Sequence, residues 1–347
     1  MIKTLVEKIL RILVFPISIL YGIVVYFRNL FFDVGIYTSN TFKTPIIAIG
    51  NLSMGGTGKS PQIEYLIKLL QQDFKVAVLS RGYKRASKGF VLANKQSTVE
   101  ELGDEPFQFY SKFKNISVAV DADRTHGIGE LLKQVHKPDV ILLDDAYQHR
   151  KVKAGLYILL TTYDKLYADD FLLPTGTLRE SRQGAKRAKI IIVTKCPKDI
   201  DTSEKERILN KIKPTEGQRV FFTNIKYADC LISKEETIAT AAISKNEVLL
   251  LTGIANPKPL LKHLDSLKVD YKHLNFPDHY NFTEKDIIEI QEKFKALTSK
   301  EKIILTTEKD YMRLQGKIPN LYYIGIETNF LEHGDVFDEM LREAIAS

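Results

Sequence analysis

Apolar residues along this chain fall into three patterns. The first is a run near the N-terminus. Ile12 to Phe27 carries no charge and is mostly Ile, Leu, Val, Phe and Tyr, with Arg11 and Arg28 at its ends and Lys3 and Lys8 upstream. A bilayer span needs about 20 apolar residues, so the run is somewhat short, and Pro16 and Gly22 interrupt it. A secretory signal would end in a small-residue cleavage site; here Tyr26-Phe27-Arg28-Asn29-Leu30-Phe31-Phe32 follows. Basic residues at both ends, with Tyr21, Tyr26, Phe27, Phe31 and Phe32, suit a helix at or in the bilayer interface. A buried core helix is the alternative, and spanning and surface-lying forms both stay open.

The second pattern is a set of short β-branched runs. Ile46–Ile49, Val76–Ser80, Ile116–Val120, Pro138–Asp145, Tyr157–Thr161 and Ile190–Lys195 each predict a strand. The third is helical spacing, as in Ile63, Leu66, Ile67 and Leu70. Strand runs interleaved with helical stretches indicate a largely parallel sheet, in which ligands bind at the carboxyl ends of the strands. After about residue 225 the character changes. Strands are expected at Glu247–Gly253, Lys302–Thr307 and Leu321–Ile326, with a loop at Asn275–Tyr280 and a helix capped by Thr283 and Asp286. This predicts a second, smaller α/β lobe.

Composition narrows the class without fixing it. A chain of 347 residues with 44% hydrophobic and 27% charged residues is globular and long enough for two cores. Cys196 and Cys230 make no disulfide framework and have no metal-ligand spacing, which suits a reducing compartment. A net charge of +7 suits an anionic partner: nucleotide, nucleic acid or anionic membrane.

The chemistry is concentrated after the first strand. Ile46-Ile47-Ala48-Ile49-Gly50-Asn51-Leu52-Ser53-Met54-Gly55-Gly56-Thr57-Gly58-Lys59-Ser60-Pro61 reads as strand, glycine-rich phosphate loop, helix. Glycines let backbone N–H groups close on phosphate oxygens, aided by the helix dipole. Ser53, Met54, Gly55, Gly56, Thr57, Gly58, Lys59 and Ser60 are therefore assigned to ATP, with Lys59 on the β- and γ-phosphates and the Ser60 hydroxyl on Mg²⁺. Ser53 stands where such loops usually have Gly; Pro61 suits the first helical turn. The expected fold is a P-loop NTPase-like α/β domain, its mainly parallel sheet covered by helices on both faces. The smaller C-terminal lobe and the N-terminal membrane-associated helix complete it. The expected divisions are 1–32 for the anchor, 33–228 for the nucleotide-binding domain and 229–347 for a lobe closing the cleft.

Asp144 and Asp145 end a buried strand, where a phosphate-loop protein keeps the acidic residue that holds Mg²⁺ directly or through water. Asp144, with Ser60 and Glu105, is assigned to the metal, and Asp145, with Lys59, to the catalytic centre. Asp104 and Glu105 form an acidic turn, and a kinase needs a carboxylate near the attacking hydroxyl. Arg81, Arg124 and Arg179 are candidates for a substrate phosphate. His279 sits beside Asp278 in a Pro-containing loop.

Taken in order, these clusters resemble the tetraacyldisaccharide 4′-kinase family, the lipid A 4′-kinases of Gram-negative bacteria. The resemblance covers nearly the whole chain. Beyond the anchor and phosphate loop it includes Ser80-Arg81-Gly82-Tyr83, Gly103-Asp104-Glu105-Pro106 and Asp144-Asp145-Ala146-Tyr147-Gln148-His149. It continues through Leu173-Pro174-Thr175-Gly176-Thr177-Leu178-Arg179-Glu180, Thr252-Gly253-Ile254-Ala255-Asn256-Pro257, Pro277-Asp278-His279 and Thr306-Thr307-Glu308-Lys309-Asp310. Ser53 also agrees with the family pattern. The resemblance implies transfer of the ATP γ-phosphate to the 4′-hydroxyl of an acylated glucosamine disaccharide 1-phosphate, at the cytoplasmic face of the bacterial inner membrane. It further implies an Asp–His dyad: Asp104 as general base, His279 orienting or polarising it. Two other classes compete. A membrane-associated P-loop ATPase switch of the partitioning type needs a signature lysine where Met54 stands. A nucleic-acid-binding module finds no motif, and the basic residues are dispersed. The sequence names no protein partner.

Overall fold

The computed structural model describes residues 2–346, and the side chains from residue 12 onward, so the flanking Lys3, Lys8 and Arg11 lie outside the described side chains. The chain opens with α1 (Ile2–Asp33), one helix that runs through Pro16. The nucleotide-domain strands are β1 (Ile46–Asn51), β2 (Val76–Ser80), β3 (Val91–Leu92), β4 (Ser117–Val120), β5 (Val140–Leu143), β6 (Leu156–Thr162) and β7 (Ile190–Thr194). Its helices are α2 (Lys59–Leu70), α3 (Val99–Leu102), α4 (Asp104–Lys112), α5 (Arg124–Lys133) and α6 (Thr202–Ile212). A long strand, β8 (Arg219–Ile232), with the short β9 (Thr237–Ala239), leads into the second lobe. That lobe holds β10 (Glu247–Thr252), α7 (Lys258–Ser266), β11 (Asp270–Asn275), α8 (Glu284–Lys295), β12 (Lys302–Thr307), α9 (Glu308–Leu314) and β13 (Leu321–Phe330), and the chain closes with α10 (Gly334–Ala346).

One sheet carries both lobes, in the order β11-β10-β12-β13-β8-β7-β6-β1-β5-β2-β4-β3. β1 lies between β5 and β6, parallel to both. Its alternating side chains feed opposite layers: Ile47 and Ile49 pack with Ile63, Leu66 and Ile67 of α2, while Ile46 and Ala48 pack with Ile128 and Leu131 of α5. Burial on both faces explains why these strands are unbroken apolar runs.

Two features depart from the expected divisions. β8 is continuous across the boundary expected at 228/229, pairing parallel with β7 at Arg219–Phe222 and antiparallel with β13 from Thr223 onward. α10, expected with the second lobe, buries Phe337 and Leu341 in the nucleotide-domain core beside Ile63, Leu66 and Phe221. The apolar stripe of an amphipathic helix must be covered, and the open flank of α2 covers it.

Candidate active site

The phosphate loop leaves β1 at Asn51 and enters α2 at Lys59. Gly58 caps the helix in the left-handed region at φ 85°, and Gly55 has φ 115°, conformations that favour glycine. A Cβ on Gly55 or Gly56 would meet nothing within 4 Å, so the concave side of the loop is open. The outer side is braced. Thr194 Oγ1 donates to the Thr57 carbonyl at 2.8 Å, and Lys195 Nζ to the Gly56 carbonyl at 2.6 Å. The Leu173–Glu180 segment runs along the loop's first half: Met54 N–H donates to Thr177 O at 2.7 Å, and Arg179 N–H to Leu52 O at 2.7 Å. Ser53 is buried and bridges Leu178, and the Met54 side chain points to solvent. The open cradle is therefore built by residues 55–60, and Ser53 and Met54, expected to face phosphate, hold the loop in place.

The end of β5, the Leu173–Glu180 segment and the start of α4 converge on this loop. Lys59 Nζ lies 3.8 Å from Asp145 Oδ1. Arg179 forks onto both Asp145 oxygens at 3.0 and 3.3 Å and reaches Asn51 as well. Asp145 is half-buried, and its partial desolvation alone would raise its pKa, but Lys59, Arg179 and Arg124 together hold it below the usual carboxylate value. Asp144 behaves oppositely. Burial, then the nearby Glu105 and Asp145 charges, pushes its carboxyl upward, against Lys59 and a hydrogen bond from Ser80 Oγ at 2.9 Å. Its second oxygen, Oδ1, is buried with no hydrogen-bond partner among the described residues. Across the loop, Ser60 Oγ donates to Glu105.

Asp104 is the first residue of α4. The turn before it is shorter than the sequence suggests, because Gly103, at φ 90°, is the N-cap and both carboxylates already sit in the helix's first turn. That turn favours negative charge. Asp104 Oδ2 meets His279 Nδ1 at 2.9 Å. Arg313, which nothing in the sequence had singled out, grips the same carboxylate: Nε donates to Oδ1 at 2.8 Å and a terminal nitrogen to Oδ2. Burial works against ionisation of Asp104, but hydrogen bonds from Arg313 and His279 outweigh it and hold the pKa below the ordinary range. Each carboxylate oxygen has two lone-pair positions. Oδ2 uses both, and Oδ1 keeps one.

The arginines expected at a substrate phosphate divide. Arg81 is exposed at the end of β2, and Arg179 is half-buried over Asp145. Arg124 is 2% exposed and donates to the carbonyls of Asp121 and Asp144 at 2.8 and 3.1 Å. It braces the turn behind the two aspartates instead of presenting a free guanidinium.

Comparison with known proteins decides the family. A model of the family described as Tetraacyldisaccharide-1-P 4'-kinase matches residues 10–346. A Flavobacterium johnsoniae protein named Tetraacyldisaccharide 4'-kinase is 53% identical over 340 residues, covering 97% of this chain and 98% of that one. The chain belongs to the tetraacyldisaccharide-1-P 4'-kinase family. A Bacteroides fragilis member of the same name is 46% identical over 334 residues, with 92% and 89% coverage. A solved structure of LpxK from Aquifex aeolicus in complex with ATP superposes with a TM-score of 0.79 at 30% identity, covering 97% of this chain and 99% of that one. The fold of the family is thus the fold seen here.

Proposed function

We propose that this chain transfers the γ-phosphoryl group of ATP to the 4′-hydroxyl of tetraacyldisaccharide 1-phosphate, a step of lipid A biosynthesis, with Asp104 as the base. The kinase activity is that of its family. The observation that carries the site assignment is the pair of adjacent residues at the start of α4: Glu105 accepts from the phosphate-loop Ser60, and Asp104 beside it is joined to His279. A base is thereby held next to the place where a terminal phosphate would lie.

In this mechanism the backbone N–H groups of residues 55–60 and the Lys59 ammonium hold the phosphates. The 4′-oxygen attacks the γ-phosphorus in line. A new O–P bond forms, the bond to the β,γ-bridging oxygen breaks, ADP leaves, and the hydroxyl proton passes to the free lone pair of Asp104 Oδ1. A carboxylate held below its ordinary pKa is a weak base. It suffices because a loose phosphoryl transition state develops little bonding to the nucleophile, so the proton departs late. Of the three arginines Arg81, exposed at the end of β2, is the one available to a substrate phosphate, since Arg179 is engaged by Asp145 and Asn51.

Ser60, Glu105 and Asp144 fit Mg²⁺. Among the described residues no cluster of three His, Cys, Asp or Glu side chains converges. Mg²⁺ does not need one, since it takes one or two carboxylates and completes its shell with phosphate oxygens and water. The unpartnered Asp144 Oδ1 supports this assignment. Bound there, the ion would neutralise charge on the transferring phosphoryl oxygens.

The membrane reading rests on α1. Its Ile12–Asp33 stretch is long and apolar enough to cross a bilayer and is almost unburied. One edge is tied down: Ser18 Oγ to Thr175, Tyr21 Oη to the Arg179 carbonyl, Arg28 to the Gln148 carbonyl, and Asp33 to Arg150. A helix fixed to the catalytic domain from Ser18 to Asp33 lies along the bilayer surface, with Ile12, Leu13 and Leu20 turned outward. Since ATP is the donor, this surface is the cytoplasmic face of the inner membrane. Asp104→Ala is expected to lower turnover by at least about 100-fold, the scale of a positioned base. Near-normal turnover would remove Asp104 from the mechanism.

A further inference from the structure

The Thr306–Asp310 turn takes no part in the phosphate site. It opens α9, and α9 lies directly behind the dyad. Lys309 Nζ meets His279 Nε2 at 2.9 Å. Asp310, fully buried, accepts from the Gly253 N–H at 2.8 Å and from Thr307 Oγ1 at 2.7 Å. The Gly253 carbonyl in turn accepts from the His279 N–H at 3.2 Å. These contacts hold His279 at φ 58°, a conformation that a non-glycine residue keeps only when its surroundings impose it. One turn further on, Arg313 forks onto Asp104 and also donates to the Tyr280 carbonyl at 2.8 Å.

This arrangement selects one form of the imidazole. An ammonium group has donors and no acceptor. Lys309 must therefore donate, so Nε2 carries no proton and the ring proton sits on Nδ1, aimed at Asp104 Oδ2 at 2.9 Å; the Arg313 terminal nitrogen, farther from Nδ1 at 3.2 Å, donates to Oδ2 and not to the ring. The other tautomer would set an N–H against the ammonium and a lone pair against the carboxylate. The groups facing the ring are Asp104 and Arg313 on the Nδ1 side, Lys309 and Asp278 on the Nε2 side, and the Tyr83 ring at 6.0 Å. Asp278 lies 3.5 Å from Lys309 Nζ and anchors it.

We propose that Lys309 is a positioning residue for phosphoryl transfer: it fixes His279 as the neutral Nδ1–H tautomer, and the Nδ1–H aims the Asp104 carboxylate that Arg313 holds. This rests on the dyad reading given above. The test uses the full chain in detergent, with ¹⁵N-labelled histidine and the His279 signal assigned by its loss in His279→Gln. In the wild type, Nε2 is expected at the shift of an unprotonated nitrogen and Nδ1 at that of a protonated one. Lys309→Met is expected to give a tautomer mixture and to lower kcat by about 10- to 100-fold, the range for removing a group that orients a functional histidine. The KM for ATP should hold. Lys309→Arg, which keeps a donor on Nε2, is expected to restore both signals. A protonated Nε2 in the wild type overturns the proposal, as does a Lys309→Met enzyme with unchanged kcat. If the wild type transfers no phosphate to the lipid, the dyad reading fails, while the tautomer spectra still decide the role of Lys309.

Discussion

Asp144 and Asp145 are neighbours in sequence with opposite electrostatic settings. Asp145 faces Lys59 and Arg179 and is held ionised; Asp144 is buried near Glu105 and resists ionisation. The difference follows from the turn between them, in which Asp145 adopts φ 46° and points its side chain back over the phosphate loop. His149, four residues further on, gives a measurable case. Burial, then the nearby Arg124 charge, lowers its pKa from 6.5 to about 4. Its folded pKa lies below its unfolded one, so the stability it contributes is present above pH 6.5 and is lost as pH falls toward about 4. His149→Asn should therefore lose less Tm than the wild type across that window; an equal or larger loss contradicts the assignment. At this scale the sequence was legible where a residue type and its spacing define a position, as in Lys59 and Ser60 at the start of the helix after the phosphate loop and Asp144 just past the end of a buried strand. Arg313 was not legible. It meets Asp104 across 209 residues of sequence, and an arginine on a short helix has no local signature.

Three helices share one buried ion cluster. Lys112, at the end of α4, lies 2.7 Å from Glu64 of α2 and 2.8 Å from Glu308 of α9. Both carboxylates are 4% exposed or less, so the ammonium is what makes their burial tolerable. The cluster fixes the helix that begins with Asp104 against the helix of the phosphate loop and against the helix carrying Lys309. Lys112→Met is expected to destabilise the fold by about 3–5 kcal/mol, the cost of leaving buried charge unpaired. Urea unfolding measures this, and a loss below about 1 kcal/mol, the value of a surface pair, would contradict it. Two strands that sequence reading missed share a cause. β11 is an edge strand, Asp270-Tyr271-Lys272-His273-Leu274-Asn275, with only partly buried side chains. β8 changes partners midway, so its apolar run at Val220–Phe222 gives way to half-exposed positions. The central strands, covered on both faces, carry the plain signal that these two lack.

At the scale of the molecule, one sheet joins both lobes, a C-terminal helix returns to the nucleotide domain, and an N-terminal helix lies along its surface. The return of α10 was invisible in the sequence because an apolar stripe does not say which core will cover it. The anchor was legible as an apolar run, but its orientation comes from polar contacts at Ser18, Tyr21 and Asn29 that only the docked helix reveals. If α1 is a surface anchor, the triple change Ile12→Glu, Leu13→Glu and Leu20→Glu should abolish co-sedimentation with phosphatidylethanolamine–phosphatidylglycerol vesicles and leave ATP binding intact. These residues are 72, 69 and 63% exposed. Undiminished co-sedimentation would place the membrane contact elsewhere. The central claim, that a phosphate loop and an Asp104–His279 pair together phosphorylate a membrane-bound sugar, is tested most directly by a transfer assay. Purified chain in detergent is incubated with Mg²⁺, γ-labelled ATP and tetraacyldisaccharide 1-phosphate. Label in the lipid, lost in both Lys59→Ala and Asp104→Ala, is the result the account predicts. Hydrolysis of ATP with no label in the lipid would contradict it.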